Sequence, residues 1–284
     1  MKPFKEALAR ALGENIDERL AGFLPSGFQT IGEIAILNLK KELMDKGEII
    51  GRSMLMMYPT LKTVCIKLDG VKGVERVPSL EKVAGNGTET IHRENGCLYK
   101  LDVTKVMFSK GNTLERGRLA SVVKKNETVV DMFSGIGYFS IPIAKAGVKK
   151  VYAVELNPNA FEYLEQNIKL NNLRNVETFN CDNRKAPPKL EGAADRVLMG
   201  YLPGTDKFLD AAFWFLKHEG GVIHFHDVYK DSELWDKPIS MLKQAGKSHG
   251  MKLRVLGKHV VKQYAPKVQH VVIDAQFKPI SEKS

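Results

Sequence analysis

Val129-Val130-Asp131-Met132-Phe133-Ser134-Gly135-Ile136-Gly137-Tyr138-Phe139-Ser140 runs from a buried-strand pattern through a glycine turn into the start of a helix. Glycines at 135 and 137 allow left-handed backbone and let amide N–H groups approach a polar ligand, and a helix start at that point favours a carboxylate or phosphate. A ligand site is the first expectation. The dinucleotide fingerprint wants a third Gly or Ala where Ser140 stands, and a Walker loop wants Gly-Lys-Ser/Thr, so neither common phosphate loop fits.

Downstream, polar groups recur at successive strand exits. Val151–Glu155 reads as a second strand ending in a carboxylate, about 20 residues past the first glycine, the spacing from which an acid reaches ribose hydroxyls. Asn157-Pro158 then opens a helix with apolar residues at Ala160, Tyr163, Leu164, Ile168 and Leu170. A third strand, within Val176–Arg184, offers Asp182 and Asn183 at its exit, and a fourth, within Ala194–Gly204, leads into the Gly/Pro loop Gly200-Tyr201-Leu202-Pro203-Gly204. A single such acid reads best as a helix cap or solvated loop charge. Polar residues at four consecutive strand exits instead point to a nucleoside-containing cofactor, bound where open parallel sheets bind their ligands.

The chain divides near residue 110. Residues 1–110 read as a small α+β module: helices Phe4–Leu12 and Ile16–Phe23, a strand Ile31–Leu37, a helix Lys40–Met57 with Met54, Met56 and Met57 in its core, a strand Thr63–Leu68, and an antiparallel pair, Glu89–Arg93 with Cys97–Phe108, turning at Asn95-Gly96. Residues 111–284 open with a helix from Asn112 to Val123 and alternate strand and helix in the manner of a parallel sheet. A helix at Asp206–His218, a strand Gly221–His226 and a helix Ser232–His249 follow. The last strands, Leu253–Lys262 and Val268–Phe277, leave no room for a crossover helix and must pair antiparallel.

Composition sets limits. With 284 residues and 43% hydrophobic content the chain can fill one sizeable α/β domain and a smaller one. No run approaches the roughly 20 apolar residues of a membrane span, and Met1-Lys2-Pro3-Phe4 begins no signal-peptide core. Cys65, Cys97 and Cys181 are scattered and odd in number, against disulfide or zinc frameworks, so no metal is expected and a reducing, cytoplasmic setting is. His224 and His226 share a strand face without an evident third ligand, which favours packing or base contact over a metal pair. The net charge is +10, and residues 237–284 alone carry +8. Lysine runs are commonly solvated faces; concentrated beside the ligand-binding edge, they read equally as a footprint for a phosphate backbone, with Lys258, Lys262 and Lys267 as its contacts.

The strand-exit residues resemble class I S-adenosylmethionine-dependent transferases. That resemblance implies a Rossmann-like, seven-stranded sheet with an antiparallel C-terminal hairpin, and places Phe133, Gly135, Gly137, Glu155, Asp182 and Asn183 around S-adenosylmethionine. Thr90-Ile91-His92-Arg93-Glu94-Asn95-Gly96-Cys97, Phe108-Ser109, Glu115-Arg116, Tyr264-Ala265-Pro266 and His270-Val271-Val272 resemble, more narrowly, the tRNA transferases acting on the guanosine 3′ of the anticodon. By that resemblance Ser109 and Arg116 join the cofactor site and the partner is the anticodon arm of tRNA(Phe), with no obligatory protein partner evident.

The family has a guanosine N1-methyltransferase branch and a wybutosine-synthesis branch that transfers a 3-amino-3-carboxypropyl group. The first carries Asn-Pro-Pro or Asn-Leu-Pro after strand four and commonly Pro after the second glycine; this chain has Gly200-Tyr201-Leu202-Pro203 and Tyr138. It also begins without the extra N-terminal domain of the methyltransferases. Asp182-Asn183-Arg184, Ala194 to Tyr201 and Ile223-His224-Phe225-His226 resemble the archaeal-type aminocarboxypropyltransferases. The expected reaction is transfer to C7 of 4-demethylwyosine, releasing methylthioadenosine, with Arg116 and Tyr201 as positioning residues. Glu127, matched to a proton acceptor in the methyltransferase branch, is expected to be a solvated strand-entry acid. The N1-methyltransferase and a non-catalytic tRNA-binding protein are the alternatives.

Overall fold

In this computed structural model, residues 4–68, 73 and 77–280 are described, so Met1–Pro3, Glu282 and Lys283 of the sequence reading lie outside them. The chain forms two compact units, Met1–Phe108 and Ser109–Ser284.

In the first unit, α1 (Phe4–Leu12), a short α2 (Glu18–Ala21) and α3 (Gly47–Met57) accompany a four-stranded sheet. Its strands run in the order β1 (Gln29–Ile31), β2 (Ile34–Leu37), β3 (Thr63–Lys67) and β4 (Leu80–Gly85), with only β2 and β3 parallel. Leu8, Leu37, Leu43, Ile50, Met54 and Val64 fill the core. Four expectations change here, the first being the helix read at Ile16–Phe23, of which only the short α2, Glu18–Ala21, forms. The strand at Ile31–Leu37 is a hairpin, because the chain reverses at Gly32, whose φ of +52° suits glycine. The helix expected from Lys40 starts as a 3-10 turn, Lys41–Lys46, and becomes α-helical at Gly47. Met56 is 82% exposed, while Met54 is buried. β4 is a strand the sequence reading did not include, because it carries exposed Glu81 and Lys82 within a short segment and lacks a clean apolar alternation.

A separate pair, β5 (Glu89–Glu94) and β6 (Cys97–Asp102), turns at Asn95 (φ +48°) and Gly96 (φ +72°), as Asn-Gly chemistry requires. β6 stops short of Phe108 because the Asp102 carboxylate accepts from the Thr104 amide at 2.9 Å and its hydroxyl at 2.7 Å, and so closes a turn.

The second unit is a seven-stranded sheet in the order β12-β13-β11-β10-β7-β8-β9. After α4 (Thr113–Val122) the elements run β7 (Thr128–Asp131), α5 (Ser140–Lys145), β8 (Lys150–Glu155), α6 (Pro158–Leu170), β9 (Val176–Asn180), β10 (Arg196–Met199), α7 (Leu209–Phe215), β11 (Gly221–Lys230), α8 (Asp236–Ser248), β12 (Met251–Ala265) and β13 (Val268–Pro279). The strands β7 to β11 are parallel, and β13 is antiparallel to both β11 and β12. The antiparallel terminal pair follows from a connection too short for a crossover, turning at Lys267 with φ of +59°. The helices at 206–218 and 232–249 are shorter than expected, each preceded by a 3-10 turn, and β11 runs four residues beyond His226.

Because the chain winds β7, β8, β9 outward and then returns to β10 on the other side of β7, the strand order reverses between β7 and β10. A crevice opens at such a point, at the carboxyl ends of the strands. No described helix is long and apolar enough to cross a membrane.

Candidate active site

The glycine loop leaves β7 at Asp131 and is stitched to both neighbouring strands: the Met132 amide donates to Leu198 O at 3.1 Å and the Ser134 amide to Val154 O at 2.9 Å. Gly135 (φ +56°) and Gly137 (φ +99°) lie in the left-handed region, and a Cβ on Gly137 would meet Ile141 Cδ1 at 2.5 Å. Ser140 explains why the third glycine of a dinucleotide loop is absent. Its hydroxyl donates to the buried Asp131 carboxylate at 2.7 Å, which also accepts from the Phe133 amide at 3.3 Å. Burial pushes the Asp131 carboxyl up to about 6 against those hydrogen bonds. From below, Asn167 Nδ2 donates to Ile136 O at 3.1 Å.

Glu155 closes one side of the crevice. Its carboxylate accepts from the Gly135 amide at 2.6 Å and the Asn157 amide at 2.7 Å, tying the β8 exit to the loop. Asn157 in turn caps α6 by accepting from the Asn159 and Ala160 amides. At the β9 exit, Asp182 is gripped by Arg184 through Nε at 3.0 Å and Nη2 at 2.6 Å, which holds its carboxyl below the usual range. Asn183 is buried, donates to Met132 O at 3.1 Å, and keeps an Oδ1 with no partner among the described residues. Across from it the Phe133 ring stacks on Tyr201 at 5.2 Å, with Phe208 edge-on to both. Bent glycine backbone, carboxylates, an orphaned amide oxygen and an aromatic wall together fit a nucleoside.

A second cluster meets at Ser109. Its carbonyl accepts from Arg116 Nη2 at 3.0 Å and its hydroxyl from Lys262 Nζ at 2.7 Å. Arg116 is 2% exposed, and its guanidinium lies 5.8 Å from the ring centroid of Tyr138, on the glycine loop. Of the three lysines read as a phosphate footprint, Lys262 is thus turned inward. Lys258, over the Trp235 ring at 5.6 Å, and Lys267 are exposed.

The sequence reading missed a buried charge network beneath α4. Arg118 forks onto Glu115 (2.8 and 2.7 Å) and onto Asp274 (2.7 and 3.0 Å). Asp274 also meets His224 Nδ1 at 2.6 Å and His259 Nε2 at 3.1 Å. Beyond His224, Arg196 Nη1 faces its Nε2 at 2.5 Å and pairs with Glu127 through Nε and Nη2, both at 2.9 Å. Arginine only donates, so His224 Nε2 accepts and its proton sits on Nδ1, facing Asp274. Burial accordingly pushes the His224 pKa down. Burial also raises Asp274, but the His224 and Arg118 hydrogen bonds outweigh it and hold the carboxyl well below its ordinary value. His226 pairs with His270 at 3.2 Å, and burial keeps both neutral near pH 7. No group of metal-ligating side chains is present among the described residues. Glu127, at the entry of β7, is half-buried against Arg196, not a solvated acid, and stands at the opposite end of the strand from the glycine loop. Only the register of β10, β11 and β13 together could have revealed this network, since Arg196, His224 and Asp274 lie far apart in the chain.

The strand order, the switch point and the glycine loop define the fold of the class I S-adenosylmethionine-dependent transferases. Residues 90–255 match the TRM5/TYW2 methyltransferase domain and residues 8–88 the TYW2 N-terminal domain. A relative from Methanocaldococcus jannaschii, named tRNA(Phe) (4-demethylwyosine(37)-C(7)) aminocarboxypropyltransferase, is 45% identical over 89% of this chain and 98% of its own. The crystal structure of Pyrococcus horikoshii TYW2 in complex with MeSAdo superposes with a TM-score of 0.86 at 37% identity, over 97% of this chain and 99% of that one. The complex of aTrm5 and tRNALeu gives a TM-score of 0.81 at 34% identity, over 96% of this chain and 78% of that one. The chain belongs to the TRM5/TYW2 family.

Proposed function

We propose that this protein transfers the 3-amino-3-carboxypropyl group of S-adenosylmethionine to C7 of 4-demethylwyosine beside the anticodon of tRNA(Phe), in a cytoplasmic setting. The observation that carries the reading is the convergence, on one switch-point crevice, of the glycine loop, Glu155, Asn183 and the Phe133–Tyr201 stack, flanked by Arg116. The match to a TYW2 N-terminal domain, and the relative bound to MeSAdo, the compound such a transfer leaves behind, support this branch over the methyltransferase.

The sulfonium donor supplies three electrophilic carbons, and geometry selects among them. Glu155 and Asn183 hold the nucleoside, while Phe133 and Tyr201 give its base and the incoming base apolar faces. Arg116 takes the donor carboxylate as a planar fork, which sets the γ-carbon toward C7. In the transfer the Cγ–S bond breaks with its electron pair left on sulfur, a C7–Cγ bond forms, and C7 loses a proton. Glu127 is engaged with Arg196 and does not supply the acceptor. The exposed Lys258 and Lys267 contact tRNA phosphates.

Incubation with S-adenosylmethionine and tRNA bearing 4-demethylwyosine, followed by mass analysis of the nucleosides, tests the reading. A gain of the aminocarboxypropyl mass is expected; a gain of one methyl group would assign the chain to N1- or C-methyl transfer.

A further inference from the structure

Lys262 stands apart from the other cations of the C-terminal hairpin. It lies on the same face of β12 as His259, the face that meets α4, after a bulge between Val260 and Lys262 shifts the register. Gly111 leaves room for its stem: a Cβ there would sit 2.9 Å from Lys262 Cδ. The ammonium then reaches the Ser109 hydroxyl at 2.7 Å, on the residue whose carbonyl binds Arg116 at 3.0 Å. Its charge also adds to the burial that pushes His270 down to about 4.

Two cations and a hydroxyl therefore converge beside Tyr138 of the glycine loop. Because Lys262 donates to the Ser109 oxygen, the hydroxyl keeps its own proton to give. A site with an ammonium, a guanidinium and a hydroxyl donor is matched to a carboxylate, the one anionic group of the donor. We propose that Lys262 is a donor-binding residue which, with Arg116 and Ser109, seats the carboxylate of S-adenosylmethionine, and is not a contact to the tRNA backbone. The inference rests on the aminocarboxypropyl reading, in which the position of that arm decides which carbon is transferred. Two cations on one carboxylate fix both the place and the direction of the arm, where a single ion pair fixes chiefly the place.

Calorimetric titration of the full chain and its Lys262→Met variant with S-adenosylmethionine and with methylthioadenosine, which lacks the arm, separates the possibilities. Methylthioadenosine binding also reports that the variant's crevice is intact. The expected result is a loss of about tenfold or more in affinity for S-adenosylmethionine with methylthioadenosine unchanged. A ratio of the two affinities unaltered by the substitution would overturn the assignment. If, in addition, the salt dependence of tRNA binding falls by about one ion, Lys262 is a phosphate contact instead. A wild-type protein that binds neither nucleoside would overturn the transferase reading itself, and this inference with it.

Discussion

Asp131 shows how a single buried residue sets the glycine loop. Its carboxylate holds Ser140 and the Phe133 amide, and burial raises its pKa to about 6 from an ordinary 3.8. A carboxyl that binds its proton more tightly in the fold favours the folded state fully below the ordinary value, and that advantage is lost as the pH rises through 6. A rise of that size corresponds to about 3 kcal/mol. The stability difference between wild type and Asp131→Asn is therefore expected to change between pH 4 and pH 6 and to level off above it, read by urea unfolding across that range. A difference independent of pH would mean that Asp131 ionises normally. The same residue explains a legible feature of the sequence. The Ser in place of a third Gly excludes a dinucleotide loop, and Ser140 uses its hydroxyl to bind the strand it follows.

At the level of elements, α4 is the part whose placement matters most, since it carries Arg116 on one face and Arg118, two residues on, on another. The Arg118–Asp274 fork pins the helix to β13. Removing Asp274 takes a partner from Arg118, His224 and His259 at once, while Arg118 keeps Glu115. Asp274→Ala is expected to cost on the order of 3 kcal/mol in urea unfolding and to weaken S-adenosylmethionine binding by letting Arg116 shift. Loss of stability with donor affinity intact would show that the position of Arg116 does not depend on the Arg118–Asp274 fork. The sign of the pH effect is opposite to that of Asp131. The Asp274 carboxyl is held below its ordinary value, so its contribution is present above about pH 4 and lost as the pH falls toward the lowered pKa.

Strands and loops with a local chemical signature were legible in the sequence: the β7–glycine loop, the Asn95-Gly96 hairpin, and the terminal pair that has no room for a crossover. Features set by tertiary partners were not. The hairpin at Gly32 looked like one strand because Ile31 and Ile34 to Leu37 are nearly all apolar. The Glu127–Arg196–His224–Asp274 chain joins four segments whose meeting depends on register across three strands. Lys262 resembled its neighbours until the bulge at Val260 turned it inward.

Across the whole molecule, the excess positive charge is concentrated in the C-terminal segment, and Lys258 and Lys267 are exposed on it. The double variant Lys258→Glu, Lys267→Glu is expected to weaken tRNA binding, to flatten its dependence on salt by about two ions, and to leave S-adenosylmethionine affinity unchanged. An unchanged salt slope, read by filter binding over a series of salt concentrations, would identify that face as merely solvated.

The chemistry of the protein turns on which carbon leaves the sulfonium. S-adenosylmethionine labelled with one isotope in its methyl group and another in its carboxyl group, incubated with the protein and tRNA carrying 4-demethylwyosine, reports this directly. Aminocarboxypropyl transfer requires the carboxyl label to enter the tRNA while the methyl label stays on the released nucleoside as methylthioadenosine. Entry of the methyl label into the tRNA, with the carboxyl label released on S-adenosylhomocysteine, would contradict it.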